Sequence, residues 1–124
     1  MKKLSLLCVC FMIASVLPFQ AKELVLAGKN VSPAAIVLPK EPSPVIRHAA
    51  EELALYVGKI TNTTPPAVSQ EPSNARCVVF LLTADQAKGQ KILPEKKLAE
   101  LKEDGFLLHV SGNELYVIKN LLFR

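Results

Sequence analysis

Val45-Ile46-Arg47-His48-Ala49-Ala50-Glu51-Glu52-Leu53-Ala54-Leu55-Tyr56-Val57-Gly58-Lys59-Ile60-Thr61 reads as one amphipathic helix with its own start and stop. Ile46, Ala49, Ala50, Leu53, Val57 and Ile60 recur at three-to-four spacing, which places them on one stripe. Ser43 is suited to the N-cap and Pro44 to the first helical position, where a missing N–H costs nothing. Pro65-Pro66 cannot continue a helix, so the run ends in residues 61–66.

Working outward, residues 23–27 read as a short strand turned by Gly28-Lys29-Asn30, and residues 35–38 as a second apolar run. Pro39, Pro42 and Pro44 stiffen the step into the helix. Beyond the helix, a polar loop at 69–75 leads to Cys77-Val78-Val79-Phe80-Leu81-Leu82, apolar on both faces and therefore an interior strand. Residues 83–94 read as irregular and polar, and 95–102 as a short helix. Residues 105–118 carry the strongest hairpin signal, with Gly112-Asn113 fitting a two-residue type II′ turn. That turn pairs Val110 with Leu115, Leu108 with Val117 and His109 with Tyr116. Both faces of the hairpin then carry apolar groups, and neither is expected to be freely solvated. The order strand, helix, strand, variable segment, hairpin predicts a mixed β-sheet with one main helix on a face and a C-terminal β-hairpin.

The chain has 124 residues. Lys2 and Lys3 precede an apolar stretch over residues 4–17, and residues 18–21 offer a cleavage region. The stretch is shorter than the roughly 20 apolar residues needed to cross a bilayer, so residues 1–21 read as an export signal and 22–124 as one domain. A secreted or periplasmic location follows, with no stable membrane insertion once the signal is cleaved. Cys8 and Cys10 lack the small residues that precede a lipid-anchor cysteine. Loss of Lys2 and Lys3 leaves 13 basic against 11 acidic residues. With no basic patch interleaved with aromatics, the chain is not read as binding nucleic acid. Cys77, alone in 22–124, reads as a small buried hydrophobe.

No catalytic residue is assigned, binding residues are unknown, and neither metal nor cofactor is expected. His48 and Glu52 stand four apart on the helix, but zinc takes at least three protein ligands, so they read as a solvated face. His109 reads as a packed strand residue. Glycoside hydrolysis needs two carboxylates held across a sugar. The candidates Asp85, Glu95, Glu103 and Asp104 lie in loops or on a short polar helix with nothing to fix a pair. Tyr56 and Tyr116, the only tyrosines, both sit where packing accounts for them. Asn30-Val31-Ser32 and Asn62-Thr63-Thr64 match the glycosylation pattern, but each is followed by proline and carries no weight.

The strand Ile36-Val37-Leu38, the proline-rich step, the run Ala49-Ala50-Glu51-Glu52-Leu53-Ala54-Leu55-Tyr56-Val57-Gly58-Lys59-Ile60-Thr61 and Pro65-Pro66 together resemble the amino-terminal domain of family 67 α-glucuronidases and related secreted bacterial glycoside hydrolases. Asp104-Gly105-Phe106-Leu107-Leu108 and Asn113-Glu114-Leu115-Tyr116-Val117-Ile118 are similar to that family's hairpin. The resemblance covers residues 23–118. It implies the α/β (α+β) two-layer sandwich also found in the second domain of family 20 hexosaminidases. It also implies a domain packed beside a catalytic barrel that supplies the acid and base. A barrel needs roughly 200 residues or more, so the chain alone is expected to be inactive. The expected partners are that barrel, if encoded downstream, and a carbohydrate.

The chain departs from the family pattern after the hairpin. A glycine-bearing turn and a second helix are expected there, and Lys119-Asn120-Leu121-Leu122-Phe123-Arg124 stands instead. The sequence therefore predicts a truncated or orphaned accessory domain, with part of its sheet uncovered and a tendency to self-associate. The alternative is a small independent secreted binding protein.

Overall fold

A computed structural model describes residues 23–103 and 105–120. The expected signal and its cleavage point lie outside the described residues, as do Asp104 and residues 121–124.

The described chain forms β1 (Ala35–Val37), α1 (Pro44–Thr61), β2 (Ala67–Val68), β3 (Val78–Thr83), α2 (Ala84–Gly89), α3 (Glu95–Ala99), β4 (Phe106–Ser111) and β5 (Glu114–Lys119). The five strands make one mixed sheet in the order β2-β1-β3-β5-β4. β1 pairs in parallel with β2 and β3, β3 pairs in parallel with β5, and β4 closes antiparallel onto β5. Main helix, mixed sheet and hairpin stand as the sequence predicts, in an α/β two-layer sandwich.

Local chemistry sets the ends of α1. The Ser43 hydroxyl accepts the Ile46 N–H at 3.3 Å, Pro44 opens the helix, and Asn62 closes it in the left-handed conformation at φ 56°. That terminator lies before Pro65-Pro66. Asn tolerates a positive φ better than most residues. The buried stripe is rotated from the one predicted. Ile46 and Ala50 are buried, with Leu53 and Ala54 packed beside them, whereas Ala49 is exposed and Ile60 is 82% exposed. The sheet lies under one flank of the helix, and the 3.6-residue period alone does not say which flank.

The core on the α1 side joins Ala34, Ile36, Ile46, Ala50, Cys77, Val79 and Leu81, with Leu115 and Val117 of β5 at its margin. A smaller cluster on the opposite face joins Ala87, Leu93, Leu98 and Ile118, with Leu107 and Tyr116 beside it. β3 is buried on both faces, as its unbroken apolar run predicts.

Three expectations are corrected. Residues 23–27 form no strand; the Leu26 carbonyl accepts the Ala34 N–H at 2.7 Å, and an isolated bridge joins Gly28 and Val31 with Asn30 at φ 62° in the turn. Isolated bonds of this kind do not make the repeating ladder that defines a strand. Residues 83–94 are not irregular throughout. Thr83 and Gln86 cap α2 reciprocally, Gln86 N–H to Thr83 Oγ1 at 3.2 Å and Thr83 N–H to Gln86 Oε1 at 2.9 Å, the capping-box arrangement. The hairpin has the predicted register, and Gly112 sits at φ 62° as the turn requires. Its α1-side face is nevertheless solvated along β4, where Phe106 is 67%, Leu108 59% and Val110 51% exposed. No helix among the described residues is long and apolar enough to cross a membrane.

Candidate functional site

The carboxylates singled out from sequence are brought together in part. Asp85 enters on the first turn of α2 and Glu95 opens α3. Between the two helices the chain reverses through Lys91 at φ 54°, with the Ile92 N–H bonded to the Ala87 carbonyl at 3.2 Å. The reversal sets Asp85, Lys88 and Glu95 around one depression of about 230 Å³, walled by Ala84, Leu98, Leu101 and Asn120. The Asn120 amide donates to the Leu101 carbonyl at 3.0 Å and the Lys102 carbonyl at 3.3 Å, tying the end of β5 to the approach to β4.

Lys88 dominates the electrostatics of this depression. Its ammonium pairs with the Glu95 carboxylate, and both side chains stand largely in solvent. The hydrogen bond to Glu95 raises the Lys88 pKa, helped by the charges of Glu95 and Asp85. A retaining or inverting glycosidase needs one carboxyl group kept protonated and another ionised across a sugar. Here Glu95 pairs with Lys88 while Asp85 stands nearby on the lining of an open surface dimple. An ion pair this open to solvent contributes little to stability. Glu103 is exposed and outside this lining.

His48 is exposed and Glu52 half-buried on α1. Among the described residues no three His, Cys, Asp or Glu side chains form a group that could hold a metal ion. Cys77 is buried, and burial raises its thiol pKa against a lowering hydrogen bond from the Val78 backbone. A thiol held protonated in this way is a poor nucleophile.

The hairpin builds an arrangement that the sequence reading missed. Register aligns Phe80, Tyr116 and His109 in one row across β3, β5 and β4. Phe80 and Tyr116 stack at 4.9 Å with 11° between planes, and His109 lies 6.0 Å from Tyr116 at 32°. The Tyr116 hydroxyl donates to Glu114 Oε2 at 2.6 Å. Desolvation first, then that hydrogen bond and the charges of Glu114 and Glu71, push the Tyr116 pKa up to about 12. The rings turn their faces to one another, so the row stiffens the sheet. Tyr56 departs from expectation: its ring is 55% exposed, with the Lys59 ammonium 5.3 Å from its centroid. It lies on the helix flank that the sheet leaves bare. Lys88 and Asn120 also escaped sequence reasoning. The spacing of Thr83 and Gln86 would have announced α2, and with it the Asp85–Lys88 turn.

The profile of the family described as "Glycosyl hydrolase family 67 N-terminus" matches residues 18–120. A search of curated proteins found no match, and neither did a search of solved structures.

Proposed function

Because this chain belongs to the family of the glycosyl hydrolase family 67 N-terminus, we propose that it is a non-catalytic accessory domain of an exported hydrolase that breaks down polysaccharide, of α-glucuronidase type. The observation that carries this reading is the family match over residues 18–120. The open depression in which Lys88 pairs with Glu95 beside Asp85 supports the non-catalytic half of it. The basic-then-apolar start at residues 2–17 supports export to the periplasm or beyond.

In this reading the acid and base come from a barrel encoded elsewhere in the parent enzyme, and the domain offers that enzyme a packing surface. The bare flank of α1 suits the role, with Tyr56 and Ile60 one turn apart and well exposed on it. A patch of this kind gains by being covered.

The test is turnover by the purified chain. No release from an aryl glucuronide or from other aryl glycosides is expected, with Asp85→Asn and Glu95→Gln behaving as the parent does. Hydrolysis abolished by either substitution would overturn the reading.

A further inference from the structure

The two edges of the sheet are finished differently. β2 is two residues long and follows Pro65-Pro66, so it offers almost no backbone for another strand. β4 is six residues, Phe-Leu-Leu-His-Val-Ser, without proline or carboxylate, and pairs with β5 in an unbroken register from Phe106↔Lys119 to Ser111↔Glu114. It has no strand on its outer side among the described residues.

The direction of the free backbone groups follows from one hydrogen bond. Asn120 N–H donates to the Gly105 carbonyl at 3.1 Å. Bonded and non-bonded pairs alternate along an antiparallel ladder. Gly105, Leu107, His109 and Ser111 therefore direct their N–H and C=O groups to β5, and Phe106, Leu108 and Val110 direct theirs outward. These three residues also carry the exposed apolar side chains.

We propose that β4 pairs with β4 of a second copy, antiparallel about a two-fold axis at Leu108. In that register Leu108 meets Leu108, and Phe106 meets Val110 of the second copy, all through outward-directed backbone groups. The six exposed side chains form one apolar row continuous with Leu115 and Val117 on each side. Aromatic and β-branched residues make favourable cross-strand neighbours. His109 faces Leu107 of the second copy and Gly105 faces Ser111, so no like charges oppose one another. The contact is isologous and uses each copy's open edge, so association closes at two. Six strand residues a side are few beside the roughly 20–30 of a standard interface, which makes the dimer weak and concentration-dependent.

Sedimentation of the full chain across two decades of concentration tests this, together with cysteine placement. Mass should rise from monomer toward dimer, and Leu108→Lys should weaken association about tenfold or more. In a Cys8→Ser, Cys10→Ser background, Leu108→Cys should give a disulfide-linked dimer on mild oxidation. The paired Cα atoms would stand about 5.5 Å apart, within the roughly 4.4–6.8 Å span of a disulfide. Phe106→Cys alone should not cross-link, and Phe106→Cys with Val110→Cys should. A monomer at every concentration would refute the pairing. So would association indifferent to Leu108→Lys, or Phe106→Cys cross-linking as readily as Leu108→Cys. Turnover assays decide the accessory reading separately, whichever way the pairing falls.

Discussion

β3 and β4 are both six residues long and carry similar side chains, Val-Val-Phe-Leu-Leu-Thr against Phe-Leu-Leu-His-Val-Ser. β3 is buried at four positions and half-buried at the other two, whereas β4 is exposed at four and half-buried at two. The difference lies in their neighbours. β3 has β1 on one side and β5 on the other, α1 across one face and the α2 end of the chain against the second. β4 has only β5 beside it, and α1 does not reach its outer row. Apolar composition therefore says that a strand needs cover, while its place in the sheet decides how much it receives.

The strongest way to break this comparison is to remove the same side chain from both strands. Leu81→Ala on β3 should cost about 2–5 kcal/mol, as expected for a buried leucine that leaves a cavity. A loss below 1 kcal/mol by denaturant titration would mean that β3 is not the core strand. Leu53→Ala asks how firmly α1 covers that core. Leu53 is half-buried rather than fully buried, so the cost should fall to about 1–2 kcal/mol, below the full-burial range. A value matching that of Leu81→Ala would show the helix seated more deeply than the structure has it.

Tyr116 on β5, between the two strands, sharpens the comparison through pH. Its pKa is raised to about 12 in the folded state against 10.0 for the free side chain. The stability this brings is fully present below pH 10 and is lost as the pH rises toward 12. Discounted for solvent around the hydroxyl, it amounts to about 1 kcal/mol. Tyr116→Phe should flatten the stability profile across that window, as read by chemical melts at stepped pH. An unchanged slope would place the hydroxyl in free solvent. The smallest effect belongs to the partner substitution. Leu108→Ala should change monomer stability by no more than about 0.5 kcal/mol, and a loss above 1.5 kcal/mol would show that β4 is covered after all.

What was legible from sequence was whatever local contacts decide. Ser43 and Pro44 mark the start of α1 by satisfying or removing orphan N–H groups within one turn. Gly112-Asn113 sets the hairpin register because a two-residue turn leaves one pairing available. The unbroken apolar run at 77–82 declares an interior strand because either face would otherwise meet water. The candidate carboxylates were recognisable by type, but their fate was not, since Lys88 reaches Glu95 only after the chain reverses at Lys91.

The sequence by itself thus determined the main helix, the hairpin and the central strand, each specified within a few residues of chain. Tertiary structure decided the rest. Residues 67–68 become a strand only because Ile36 and Val37 lie alongside them, and residues 23–27 do not because the single bond from Ala34 N–H to the Leu26 carbonyl is not extended into a ladder. The sheet chooses Ala50 and Ala54 over Ala49 and Ile60 as the covered flank of α1. Ladder hydrogen bonds and buried area are properties of pairs of elements, and a single stretch of sequence carries only half of each pair.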